Sequence, residues 1–195
     1  MRKLILACLV ILSAATARGA STNNTVVDDL VARARKEADA GNNEAAVVTL
    51  QSALAREPGN VNAAVALGRQ YLQMSRYREA VAVLEPVIKA APGNYVLMNN
   101  VAWVRATATE PDVFNPAEAV RLARAALTLA PSDFHVWSTL AEALYANGAF
   151  DEALLAARKT LRFAELDPKA SDGLAVYRGQ VAKCEQAVRA LVLVE

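Results

Sequence analysis

Apolar residues recur along most of the chain with the three-to-four-residue spacing of amphipathic helices. In the first clear example, residues 27–40 and 44–56 each carry one apolar stripe, and the polar stretch Gly41-Asn42-Asn43 separates them. Apolar residues at this spacing lie on one face of a helix, so each stretch predicts a helix that packs on one side. Two such stretches joined by a short polar turn predict an antiparallel helix hairpin.

Helix-ending triplets divide the chain at nearly regular intervals. Pro58-Gly59-Asn60 recurs 34 residues later as Pro92-Gly93-Asn94, and after a further 39 residues as Pro131-Ser132-Asp133. Proline cannot continue a helix, glycine accepts a left-handed backbone, and Asn or Asp caps the next helix. The triplets therefore predict a repeated hairpin, with units at residues 27–60, 61–94, 95–133 and 134–167.

The repeated hairpin resembles the tetratricopeptide repeat family, whose 34-residue unit has the pattern W-x2-L-G-x2-Y…A-x3-F…P. The second unit matches it best, at Ala64, Leu67, Gly68, Tyr71, Ala80, Leu84 and Pro92. The third unit has Arg105 where the tyrosine is expected and five extra residues around Thr107 to Pro116, and the fourth has Glu165 where proline is expected. The resemblance implies an all-α fold, a right-handed superhelical solenoid of about four helix pairs.

The C-terminal segment, residues 168–195, is expected to cap this solenoid. An apolar stripe with alternating spacings of three and four predicts one more helix, at Leu174, Tyr177, Val181, Cys184, Val188 and Leu191. Repeat proteins need such a helix to cover the apolar face of the last repeat. The same spacing suits a coiled-coil seam, so a homodimer through this helix stays an alternative. Because its helical neighbours are apolar, Cys184 is expected to be a small buried hydrophobe.

The first residues have the layout of a secretory signal peptide. Arg2 and Lys3 precede an apolar run from residue 4 to residue 12, and small residues follow, with Ala15 and Ala17 forming an A-x-A cleavage site. The run is shorter than the roughly 20 residues that span a membrane. We expect residues 1–17 to be removed, with an alternative end near residue 20, and residues 18–26 to be flexible. The protein is then periplasmic or secreted; the alternative is an uncleaved inner-membrane anchor that leaves it facing the periplasm.

Charge and motif content argue against several functions. Lys and Arg total 21 against 20 Asp and Glu, for a net charge of +1, which lacks the basic excess of a nucleic-acid-binding protein. The one histidine, His135, excludes metal sites that need two histidine ligands. The sequence has no G-x-S-x-G, G-x-G-x-x-G or phosphate-loop motif. We therefore predict a protein that is not an enzyme and that has no cofactor or metal.

The resemblance also implies where a partner binds. In the family, the first helix of each pair lines a concave groove, and peptides or partner helices lie across it. The matching positions here are Arg35, Asn62, Arg69, Gln73, Asn99, Trp103, His135, Glu142 and Tyr145. Trp103 and Tyr145 offer rigid aromatic area, while Asn62 and Asn99 can bond an extended backbone. Packing of Trp103 against a neighbouring helix is the alternative, and Trp137 is assigned to the core.

The predicted function is a non-catalytic adaptor of the bacterial cell envelope that binds another protein or a peptide. One alternative is a membrane-associated assembly factor held by an uncleaved anchor. Another is a small-ligand or carbohydrate-binding module, for which Trp103 and Tyr145 are the suitable aromatic residues. Family members that clamp the C-terminal carboxylate of heat-shock chaperones use lysines and asparagines on first helices. Few of the matching residues here are of those types, which argues against that partner: Val31, Arg35, Ala66, Val96 and Asn100.

Overall fold

In a computed structural model of the chain, the structure describes residues 25–90 and 92–192. All regular secondary structure in these residues is helical, which confirms the predicted all-α class. The predicted signal peptide, residues 1–17, and most of the segment 18–26 lie outside the described residues. None of the described helices combines the length and the apolar character that crossing a membrane requires.

The described helices follow one another with short connections. The first, α1, occupies residues 25–39. The next four are α2 (Asn43–Arg56), α3 (Val61–Gln73), α4 (Tyr77–Ala90) and α5 (Tyr95–Thr107). They are followed by α6 (Pro116–Leu129), α7 (Phe134–Ala146), α8 (Phe150–Leu166), a 3-10 helix (Pro168–Gly173) and α9 (Leu174–Val192).

Three helix starts use the polar residue that ends each predicted triplet. The Asn60 side chain accepts a hydrogen bond from the backbone N–H of Ala63. The Asn94 side chain accepts from those of Val96 and Leu97, and the Asp133 side chain from that of His135. A side chain in this position satisfies backbone donors that have no partner within the helix, which stabilises the helix by about 1 kcal/mol. The capping role predicted for these residues is therefore confirmed.

The described residues form two compact units, divided between Gln70 and Tyr71. In the first unit, α1, α2 and the start of α3 share a small core. Val27, Ala53 and Ala63 are fully buried there, one from each helix, and partly buried apolar side chains pack around them. The Gln70 side chain donates a 2.7 Å hydrogen bond to the Asn43 side chain, which joins α3 to the start of α2.

In the second unit, small residues let successive helices approach closely. α5 packs against α4, α6 and α7, and α7 packs against α6, α8 and α9. Ala106, Ala119 and Ala143 meet in one buried cluster, where α5, α6 and α7 come together. A methyl side chain leaves room for such close packing, which a larger residue would prevent.

The C-terminal helix α9 packs on α8 and touches α7. Its Cys184 side chain is only 1% exposed, which confirms the prediction of a buried residue. Burial raises the pKa of the Cys184 thiol, because the buried site disfavours the charged thiolate. The thiol therefore contributes to packing as an apolar group.

Candidate partner-binding site

The nine predicted contact residues divide between the two units. Arg35, Asn62 and Arg69 lie in the first unit, and Gln73 lies at the end of α3 in the second; all four side chains are exposed. The other five belong to α5 and α7 of the second unit: Asn99, Trp103, His135, Glu142 and Tyr145. Since α5 and α7 pack directly together, these five lie on neighbouring helices.

Trp103 and Asn99 lie one turn apart on the same side of α5, and we call this surface, with Tyr77 beside it, the Trp103 face. The Trp103 side chain is half-buried, and its ring meets the Tyr77 ring edge-on with centroids 6.2 Å apart. The Asn99 Oδ1 atom is shielded from solvent and has no hydrogen-bond partner in the described part of the chain. An unsatisfied buried acceptor costs about 1–3 kcal/mol, so a donor that reached it would be favoured.

Two arginines hold the insertion between α5 and α6, residues 108–115. The Arg105 side chain, 17% exposed, donates to the Glu85 carboxylate and to the Val113 carbonyl. Arg78 donates two hydrogen bonds, of 2.9 and 2.7 Å, to the Asp112 carboxylate, and these lower the pKa of Asp112. These contacts were not predicted from the sequence. The sequence feature that indicates them is Arg105, an arginine at a position where the repeat has tyrosine.

Glu142 and Tyr145, on α7, are engaged by α9. The Lys183 Nζ atom donates to the Glu142 carboxylate at 2.7 Å and lies 4.0 Å from the centre of the Tyr145 ring. Gln180 donates to the other carboxylate oxygen of Glu142 at 2.9 Å and to the Ser138 carbonyl at 3.0 Å. Partner binding by Glu142 and Tyr145 remains a prediction, and a partner there would have to compete with α9.

His135 is exposed at the start of α7, where its ring lies against Phe134 with centroids 4.0 Å apart. Phe134 in turn meets Tyr177 of α9 edge-on, at 5.5 Å. Within the described residues, no group of three or more His, Cys, Asp or Glu side chains is placed to hold a metal ion. His135 therefore belongs to an aromatic cluster at the start of α7, with Phe134 and Tyr177.

Trp137 differs from its predicted core placement, because its side chain is only half-buried. The indole N–H donates a 2.8 Å hydrogen bond to the Pro131 carbonyl. Its ring stacks on Phe163 of α8 at 6.5 Å, and the Lys159 ammonium lies 4.3 Å from the ring centre. The ring is thus partly covered by a long charged side chain, which leaves its edge at the surface.

The fold defines a helical-repeat protein, and comparison with known families identifies the repeat. The tetratricopeptide repeat family matches residues 37–98 and 114–176, more than half of the chain. The chain therefore belongs to the tetratricopeptide repeat family, and the resemblance seen in the sequence is confirmed. This fold is consistent with a protein-binding scaffold.

Solved structures support the same conclusion about the fold. A thermophilic tetratricopeptide repeat protein of Thermus thermophilus has a TM-score of 0.64 at 15% identity, over 84% of this chain and 87% of that chain. MamA (41-end) from Desulfovibrio magneticus RS-1 has 0.62 at 15% identity, over 86% and 93%. MamA of AMB-1 has 0.57 at 26% identity, over 70% and 78%. No curated protein matches the chain. These likenesses confirm the all-α solenoid class.

Proposed function

We propose that this protein is a non-catalytic scaffold that binds a protein or peptide partner through the Trp103 face. One observation carries the proposal: α9 engages the first-helix residues of α7, whereas in the described chain it makes no contact with α5. Of the five predicted contact residues on α5 and α7, Trp103 and Asn99 therefore lie on the helix that α9 does not touch. A partly desolvated tryptophan in such a position is where binding energy usually concentrates.

The chemistry of the Trp103 face favours an extended or helical segment with an apolar anchor. The Trp103 ring supplies flat apolar area, and Tyr77 limits its motion from one side. A partner's backbone N–H could satisfy the Asn99 amide oxygen after a small rotation of that side chain. Binding would then combine burial of an aromatic ring with the pairing of an otherwise unsatisfied polar atom.

We further propose that the scaffold works in the bacterial cell envelope, on the exported side of the inner membrane. The support is the sequence of residues 2–17, with its basic start, short apolar run and A-x-A site. N-terminal sequencing of the protein from an envelope fraction tests this location. A start near residue 18 would support export with cleavage, whereas an intact Met1 in the membrane fraction would favour the anchored alternative.

The Trp103→Ala variant tests the binding site. We expect it to keep its helical circular dichroism and its melting temperature to within a few degrees, because the side chain is only half-buried. Its affinity for the partner recovered from envelope extract should fall by about 2 kcal/mol or more, roughly thirtyfold, since a central aromatic anchor is lost. Quantitative pull-down followed by calorimetry measures both steps.

The matched control is Arg121→Ala on α6. Arg121 is exposed, and its ion pair with Glu118 lies within the same helix, so its loss should leave the partner bound. Unfolding of Trp103→Ala would mean that this tryptophan is a core residue and that the proposed site is wrong. Equal binding by both variants and the wild type would place the partner on another surface.

A further inference from the structure

A second surface of the second unit is a cleft of about 440 Å³ between α6, α7 and α8, which we call the α8 cleft. Its apolar lining comes from α7 (Trp137, Leu140 and Leu144) and from α8 (Leu155 and Ala156). Leu140 and Leu144 are buried and form its floor. Leu155 is 62% exposed. The three α7 residues lie on a different side of that helix from Glu142, so the α8 cleft is separate from the face that α9 covers.

The rim of the α8 cleft is positively charged. Arg124, Arg158, Lys159 and Arg162 line it, together with one carboxylate, Glu152. Arg124 is paired with Glu152 at 2.6 Å, and Arg158 is paired with an α9 glutamate at 2.9 Å. In the described part of the chain, neither Lys159 nor Arg162 has a carboxylate within salt-bridge distance. Two positive charges without a counter-charge therefore lie beside an exposed apolar surface.

The dimensions of the α8 cleft fit a short helix. Trp137, Leu140 and Leu144 form an apolar row at i, i+3 and i+7, which spans about 10 Å along α7. Along α8, the lining runs from Glu152 to Arg162, about 15 Å, or nearly three helical turns. Grooves of this kind bind amphipathic helices, whose apolar residues at the same spacing enter the groove.

We propose that the α8 cleft binds an acidic amphipathic helix of a partner protein. The apolar face of that helix would cover Leu155 and the accessible part of the Trp137 ring, above a floor of Leu140 and Leu144. Its Asp or Glu side chains would pair with Lys159 and Arg162. Because the Lys159 ammonium already lies over the Trp137 ring, a carboxylate at the rim would meet a cation that is partly held in place. The apolar floor and the near-neutral chain favour this partner over nucleic acid. The proposal does not depend on the Trp103 face.

A display library tests the proposal. Its members are helical peptides with leucine at i, i+3 and i+7 and random charged residues elsewhere, selected against the purified chain. We expect the enriched peptides to carry more Asp and Glu than Lys and Arg. In fluorescence anisotropy, their affinity should fall at least about tenfold for Lys159→Glu/Arg162→Glu, through charge reversal, and for Leu155→Glu, through loss of the apolar contact. In a Trp103→Phe background, peptide binding should also shift the fluorescence of Trp137.

The matched control is Lys36→Glu/Arg121→Glu, which makes the same change in net charge at two exposed residues outside the α8 cleft. This variant should bind the selected peptides within about twofold of the wild type, because their charges meet only the rim. Enrichment of basic peptides, no enrichment above a protein-free selection, or equal losses in the control and rim variants would overturn the proposal. Stronger binding to phosphatidylserine vesicles than to the acidic peptides would also overturn it, since the surface would then be a lipid contact.

Discussion

At the residue scale, Glu142 is where the polar contacts between α7 and α9 meet. Its two carboxylate oxygens accept hydrogen bonds from Lys183 and Gln180. Gln180 is buried, so removal of the Glu142 carboxylate deprives the Gln180 amide of one of its hydrogen-bond acceptors. The aromatic ring of Tyr145 would still lie beside the Lys183 ammonium, so α9 keeps part of its attachment.

We therefore expect Glu142→Ala to lower the free energy of unfolding by about 1–2 kcal/mol, the usual cost of a part-buried charged hydrogen bond. Urea unfolding followed by circular dichroism measures the change. The control is Glu165→Ala, whose ion pair with Arg178 is exposed and 3.9 Å long. That variant should lose less than about 0.5 kcal/mol. If both variants lost the same free energy of unfolding, the contacts of Glu142 with α9 would stabilise the protein no more than an exposed ion pair does.

Some features of the candidate site follow from local sequence, and others do not. Trp103 and Asn99 could be placed on one side of α5 because that relation depends only on helical spacing. The engagement of Glu142 could not be foreseen, because it depends on residues about 40 positions later, on a helix whose orientation no local pattern defines. The core assignment of Trp137 was wrong for a related reason. The burial of its ring depends on a residue of another helix, Lys159 of α8, which lies over the ring.

At the scale of elements, the docking of α9 can be followed through Cys184. The thiol is buried and its pKa is raised, and both effects suppress reaction with a disulfide reagent. In a Cys8→Ser background, where Cys184 is the remaining cysteine, we expect labelling by Ellman's reagent to be at least about 100-fold slower than in urea-unfolded chain.

Glu142→Ala should accelerate this labelling, because it weakens the attachment of α9, while Glu165→Ala should not. Rapid labelling of the unmodified background under native conditions would contradict the docked position of α9. Labelling at the rate of global unfolding would instead show that α9 and the rest of its unit unfold together.

Elements with a strong local signal were predicted well. The Asn and Asp caps follow from chemistry within three residues, and the hairpins follow from apolar spacing, so both appear where the sequence places them. The 3-10 helix Pro168–Gly173 has no such signal, since one proline and one glycine fit a loop equally well. The conformation of the insertion depends on Arg78 and Arg105, which reach it from other helices.

At the scale of the whole molecule, surface ion pairs predict a dependence of stability on acidity. Hydrogen bonds from Thr49 and Arg33 lower the pKa of Glu37. A hydrogen bond from Arg76 lowers the pKa of Glu79, and one from Arg78 lowers the pKa of Asp112. A carboxyl whose pKa is lower in the folded than in the unfolded protein stabilises the fold at any pH above its unfolded-state pKa. That stabilisation is lost as the pH falls through the folded-state pKa.

We therefore expect the urea midpoint to be nearly constant from about pH 8 to pH 6 and to fall below about pH 4.5. Because the ion-paired carboxylates of Glu79 and Asp112 are about half exposed, about 0.5 M NaCl should reduce the acid-dependent part of the change. Urea titrations at several pH values, each at low and high salt, measure it. A midpoint that rises on acidification would contradict the assignment of these pairs.

The position of α9 also has a consequence for how such an array can change its length. Lys183 and Gln180 of α9 donate hydrogen bonds to Glu142 of α7, and a copy of residues 134–167 would contain the same glutamate. A tandem duplication of this segment, placed before Pro168, would therefore offer α9 an identical docking surface one hairpin further along. Repeats appended beyond α9 would meet no such surface. An array lengthened at this interior position would therefore keep α9 docked through the same two side chains.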